Sequence, residues 1–151
     1  MDTPQQETIG TSSFVAGGIP KIGDTAPDFT AITTQGELTL SKWQGENWII
    51  LFSHPADFTP VCGTELSEFA KQESEFQKRN VKLIAVSIDS IHAHLAWREN
   101  LQKIFGHRIT YPMVADNNMA VAQKYGMIHP GQRLTAPYEK LDFYLCKKTL
   151  N

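Results

Sequence analysis

Two short apolar runs constrain the fold more than any other feature of this chain: Trp48-Ile49-Ile50-Leu51-Phe52-Ser53 and Val81-Lys82-Leu83-Ile84-Ala85-Val86-Ser87-Ile88. Each has the length and the β-branched or aromatic content of a strand buried on both faces. Between them Leu66, Phe69, Ala70 and Phe76 fall at helical spacing on one side, and Glu65, Glu68, Lys71, Gln72, Glu75 and Lys78 occupy the other. A stretch of that length serves as a crossover, so strand, helix and strand read as a right-handed βαβ unit with parallel strands. The expected architecture is α/β, with a mostly parallel central sheet flanked by helices.

Local signals extend this reading in both directions. Ile19 to Phe29 holds two prolines and a Gly23-Asp24 pair, and reads as an extended entry segment. Thr30 to Thr34 and Glu37 to Leu40 form a hairpin around Gln35-Gly36. A second helix begins at Asp89 or Ser90, either of which is a good cap, and ends at Phe105 with Gly106 as its stop. Ile109 to Val114 reads as a strand, placed at an edge or made irregular by Pro112. Met119 to Tyr125 reads as a short helix closed by Gly126, and Lys140 to Lys148 has room for one short strand.

With 151 residues the chain suits one domain. The segments divide as a loose polar tail over 1–18, the α/β domain over 19–131 and an atypical tail over 132–151. A net charge of -2 without a basic cluster gives no reason to expect binding to nucleic acid or to an anionic membrane. No apolar run approaches the roughly 18 residues that span a bilayer. Met1 to Gly18 lacks the basic and apolar regions of a secretory signal, and the expected location is cytoplasmic.

The chemistry centres on cysteine. Of the two, Cys62 and Cys146, the ordinary expectation is a small buried hydrophobe. Local context outweighs it for Cys62 alone. The first apolar run leads into His54-Pro55-Ala56-Asp57-Phe58-Thr59-Pro60-Val61-Cys62-Gly63-Thr64-Glu65, in which Thr59 suits an N-cap and Pro60 the first helical position. Cys62 is then third in the helix, where free backbone N–H groups and the helix dipole favour a thiolate. Helix N-termini and nearby cations bring a cysteine pKa from about 8.5 down to roughly 3.5–7.5. The position also lies beyond the carboxyl end of a parallel strand, where α/β sheets place their sites. A sulfur sealed in apolar packing would contradict this reading.

His54 to Leu66 resembles the active-site motif of the peroxiredoxins: Pro55, then Thr59, then Cys62 at the family's spacing, with Gly63 where members more often carry Thr or Ser. Ile22 to Phe29 resembles the family's entry segment. Ser87 to Ser90, His94 to Trp97, Tyr111-Pro112, Ala115-Asp116 and Tyr125 to Gly131 are similar to its one-cysteine branch. The resemblance implies a thioredoxin-like fold and a thiol-dependent peroxidase without metal or other cofactor. Cys62 would be the peroxidatic cysteine, forming a sulfenic acid. Thr59 would hydrogen-bond the peroxide, Pro55 would cover the cysteine, and His54 either contacts the substrate or is structural. The implied partners are a hydroperoxide, an external thiol such as thioredoxin or glutathione, and a second copy in a homodimer.

The resemblance fades after Gly131, where the expectation is a truncated or altered C-terminal part. The family's active-site arginine has no match: Glu139 stands at the ungapped position, with Lys140 adjacent and Arg133 nearby. The second reading is therefore a catalytically weak relative acting as a redox sensor or interaction partner. Cys146 matches no family position and reads as a bystander. His92 and His94 do not share a helix face, which argues against a metal pair. His107 and His129 read as surface or loop residues, Glu65 as a helix-stabilising acid, and Trp48 and Trp97 as core.

Overall fold

The computed structural model describes residues 19–127 and the backbone of 143–146. In chain order the elements are β1 (Thr30–Thr33), β2 (Gly36–Thr39), α1 (Leu40–Gln44), β3 (Trp48–Ser53), α2 (Pro60–Lys78), β4 (Val81–Ser87), α3 (Ile91–Phe105), β5 (Met113–Ala115), α4 (Ala120–Lys124) and β6 (Phe143–Cys146). Their strands form one sheet in the order β2-β1-β5-β4-β3-β6. The two apolar runs lie side by side as a parallel pair, Trp48 opposite Val81 through Ser53 opposite Val86, with α2 as their crossover.

The sheet is mixed rather than mostly parallel. Its centre, β5-β4-β3, is parallel, but β1 runs antiparallel to β5 and β6 antiparallel to β3. β5 is interior, not an edge. Pro112 stands just before it, so no ladder N–H is lost, and the Pro112 carbonyl accepts from Ala85 N at 3.0 Å. The strand expected within Lys140 to Lys148 is β6, paired with β3 at Ile49 opposite Cys146. Residues 128–142, which include Gly131, Arg133, Glu139 and Lys140, lie outside the described residues, as do His129 and the 1–18 tail.

Two apolar cores form, one on each sheet face. Phe29, Leu40, Ile49, Leu51, Ile84, Val86, Val114, Val121 and Tyr125 belong to one. Phe52, Leu66, Leu83, Ala85, Trp97, Leu101, Tyr111 and Met113 belong to the other, together with Cys62. Each large side chain so buried stabilises the fold by roughly 1.5–3 kcal/mol. Trp97 is a core residue as expected, whereas Trp48 opens β3 at the end of the sheet and is 37% exposed.

Both long helices start where the sequence places them, and α3 also stops there. Ser90 caps α3 by accepting from Ala93 N at 3.2 Å, and Gly106 ends it in the left-handed region at φ 76°. Pro60 opens α2 with Thr59 at the N-cap position. The short helix α1 takes up Leu40 to Gln44, directly after the hairpin.

Candidate active site around Cys62

The site is built on the loop between β3 and α2. His54 follows the last residue of β3, and its N–H donates to Val86 O at 3.1 Å, extending the ladder by one residue. Phe58 adopts φ 62°, unusual for a bulky side chain, and this reverses the chain into Thr59 and Pro60. Cys62 is the third residue of α2. The first intrahelical bond runs from Gly63 N to Thr59 O at 3.0 Å, so the N–H groups of Val61 and Cys62 precede it and are not consumed by the helix. That is the electropositive setting the sequence leads one to expect.

The sulfur is more enclosed than expected. Cys62 is 6% exposed and packs among Phe52, Leu66, Trp97 and Leu101. α3 also approaches the first turn of α2 closely. A Cβ on Gly63 would lie 3.1 Å from Leu101 Cδ2 and within 4 Å of Phe105 and Trp97. The glycine that departs from the usual family pattern therefore lets α3 close over this turn. With so little of Cys62 exposed, a bulky thiol reductant reaches the sulfur only if this turn opens.

Thr59 and Pro55 sit on the same loop. The Thr59 side chain does not cap α2; its hydroxyl donates to the Ala56 carbonyl at 3.0 Å. That fixes the rotor and leaves the oxygen's lone pairs to accept from another donor. Pro55 is half-buried, and Phe58 and Val61 are exposed at the rim.

A group the sequence reading passed over anchors the loop. The Asp57 carboxylate is met by His54 Nε2 at Oδ1 and by His94 Nδ1 at Oδ2, each at 2.7 Å. His94 Nε2 is in turn 3.0 Å from the Val114 carbonyl, and Asp57 N donates to Asp89 Oδ2 at 3.0 Å. Both histidines are fully buried. Burial works to raise the Asp57 carboxyl, but hydrogen bonds from His54 and His94, together with their charge, outweigh it and hold it below its ordinary value. With Asp57 ionised, these three contacts require one hydrogen on His54 Nε2 and one on each nitrogen of His94. His54 Nδ1 is buried and without a hydrogen-bond partner among the described residues.

The three side chains also make a candidate metal cluster, with one ligand atom from each within 4.8 Å of the others. Their spacing fits shared protons better. Metal bonds of about 2.0–2.1 Å at tetrahedral angles hold ligand atoms roughly 3.3 Å apart, whereas these pairs are at 2.7 Å. His92 is exposed on the opposite side of α3 from His94, and His107 is exposed too. Nothing in the sequence announced Asp57; the one available hint was a carboxylate three residues after a histidine on the same loop.

A family model described as the AhpC/TSA family matches residues 22–140. The chain belongs to that family. It is 52% identical over 117 residues to a peroxiredoxin of Aquifex aeolicus (strain VF5), covering 78% of this chain and 53% of that one. With the 1-Cys peroxiredoxin of Dictyostelium discoideum it shares 45% identity over 114 residues, 76% of this chain and 47% of the other. Among solved structures it is similar to a yeast mitochondrial 1-Cys peroxiredoxin, with TM-score 0.72 and 36% identity, covering 84% of this chain and 68% of that one. Peroxiredoxin 6 of Arenicola marina gives TM-score 0.70 at 38% identity, covering 82% and 58%. These likenesses bear out the thioredoxin-like α/β expectation and the one-cysteine character. The chain spans about half the length of the curated relatives it matches.

Proposed function

We propose that this protein is a thiol-dependent peroxidase that reduces hydrogen peroxide and alkyl hydroperoxides through Cys62. The observation that carries the reading is the place of Cys62 in the opening turn of α2, before the first consumed helical N–H, in a chain of the AhpC/TSA family. The thiolate attacks the terminal peroxide oxygen, the O–O bond breaks, and sulfur is left as a sulfenic acid. Free N–H groups of the first turn stabilise the charge that develops. The Thr59 oxygen accepts from the peroxide, Pro55 shields the sulfur, and His54 contacts the substrate. An external thiol such as thioredoxin or glutathione returns the electrons; a yeast relative is described as resolved by glutathione and thioredoxin systems. Antioxidant defence in the cytoplasm, as a homodimer, fits this chemistry.

The test is peroxide consumption by the purified protein in the presence of a thiol. Cys62→Ser abolishes it and Cys146→Ser leaves it intact. Full turnover by Cys62→Ser would overturn the assignment. The burial of Cys62 favours one second reading, a weak relative that serves as a redox sensor or interaction partner. In that case Cys62 is oxidised stoichiometrically but does not turn over with thioredoxin or glutathione.

A further inference from the structure

β1 and β5 part soon after they meet. β1 pairs with β2 along all four of its residues, but with β5 only where Thr33 stands opposite Val114. Beyond that pair the chain turns away, and Asp116 N–H donates to Ser87 O on β4 instead. Thr34 N–H points to Met113 O, so by strand alternation Ile32 and Thr30 turn their backbone groups to the same side. A cavity of about 360 Å³ fills the gap between Thr30–Ile32 and Ala115–Asn118. Phe29 and Val121, from the core on the other sheet face from Cys62, supply its apolar floor. The polar side chains of the wall each use one atom to hold the frame and keep another. Asn117 Nδ2 donates to Ile88 O, which leaves Oδ1; Asn118 Oδ1 accepts from Ala120 N–H, which leaves Nδ2. Lys124 Nζ donates to Asp28 O at 2.6 Å and retains its other hydrogens. The Glu37 carboxylate enters no hydrogen bond or ion pair among the described residues, whereas that of Asp116 is committed to Val121 N–H and Ala122 N–H. Glu37 pairs with Ile32 and Lys124 is tied to Asp28, so the free carboxylate and the ammonium stand at opposite ends of β1, about 13 Å apart along the strand.

The geometry points to a binding site for a short peptide with free termini, laid along β1 in the place β5 would fill if it continued. The peptide runs antiparallel to β1, as β5 does. Its ammonium group meets Glu37 at the Ile32 end, and its carboxylate meets Lys124 at the Asp28 end. Between them its backbone pairs with Thr30, and the free carboxamide atoms of Asn117 and Asn118 take up its remaining peptide groups. Main-chain bonds of this kind supply affinity in strand addition, and here the two terminal charges set the length. Three extended residues span about 10 Å, which the long Glu37 and Lys124 side chains close from either end; a single amino acid is too short to meet both. The cavity is near the small end of ligand pockets, which favours small side chains. Its polar walls are pinned by bonds within the protein, so little ordering is left to oppose binding. The site lies apart from Cys62 and does not rest on the peroxidase reading.

The experiment titrates the full chain with trialanine, N-acetyltrialanine, trialanine amide and free alanine, and follows backbone amide shifts by NMR at pH 7. Trialanine gives saturable shifts centred on Thr30, Ile32, Asn117 and Asn118. Masking either terminus weakens binding about tenfold, the order expected for losing one charge-assisted contact. Glu37→Gln weakens trialanine by a similar factor but leaves N-acetyltrialanine unchanged, because the contact it removes is already missing there. Lys124→Met does the same for trialanine against its amide. The wild-type comparison of masked and free termini does not depend on either variant, and the spectra themselves report whether the variants fold. The proposal is overturned by an absence of saturable shifts, by equal affinity for masked and free peptides, or by free alanine binding as tightly as trialanine.

Discussion

Asp57 ties the loop before Cys62 to α3, and its ionisation sets how that tie responds to acid. Its carboxyl is held below its ordinary value because the hydrogen bonds from His54 and His94 outweigh the effect of burial. A lowered folded-state value means the stabilisation is complete above the unfolded value of about 3.9 and is lost as pH falls through the folded one. Wild type therefore loses stability below about pH 4 partly through this residue. Asp57→Asn costs about 3 kcal/mol at pH 7, since one partner of a buried ionic pair is removed, and its urea midpoint falls less steeply in acid. Urea titrations between pH 2 and 7 check both; parallel pH profiles for the two proteins would contradict the assignment. Residue types alone could not reveal this role, because His94 is 37 positions away from Asp57 in the chain. His54 was legible as a candidate for the site, but its unspent nitrogen depends on where Asp57 stands.

At the scale of elements, the sequence was most informative where a rule is local. Pro60 at the first helical position, Ser90 as a cap and Gly106 in the left-handed region each follow from the backbone demands of their own turn. Ser90→Ala should cost about 1 kcal/mol, because an α3 N–H loses its acceptor. α3 carries His94, Trp97 and Leu101, so the variant should also expose Cys62 to alkylation faster than wild type. Denaturation and alkylation rates measured on the same protein test the two effects together. Elsewhere the local rules fell short. Thr59 occupies the cap position but gives its hydroxyl to Ala56, since the tight loop brings that carbonyl closer to hand. Leu40, read as the last residue of the hairpin, instead opens α1, where it is buried in the core.

At the scale of the whole molecule, the two cores meet through the sheet, and one tyrosine crosses between elements. Tyr111 is buried and its hydroxyl donates to Leu66 O on α2 at 2.9 Å. Burial, with a smaller contribution from Glu73, pushes its phenol well above the ordinary value. A raised folded-state value means the fold is favoured below the unfolded value of about 10, and that preference is lost as pH rises beyond it. In an ultraviolet titration, one of the four tyrosines should therefore ionise only as the protein unfolds in alkali. Replacement by Phe removes that late step; its persistence would assign it to another tyrosine.

By itself the sequence determined the parallel strand pair, both long helices and the place of Cys62 in an opening helical turn, because periodicity, caps and proline act within a few residues. Its family motif also led correctly to the fold. Only the tertiary structure decided that both flanks of the sheet run antiparallel, that α3 packs closely over Gly63 and Cys62 is nearly buried, and that Asp57 is shared by two histidines. Each of these depends on which distant segments come together, and the energies that decide it come from packing and burial across the chain rather than from any one stretch of it.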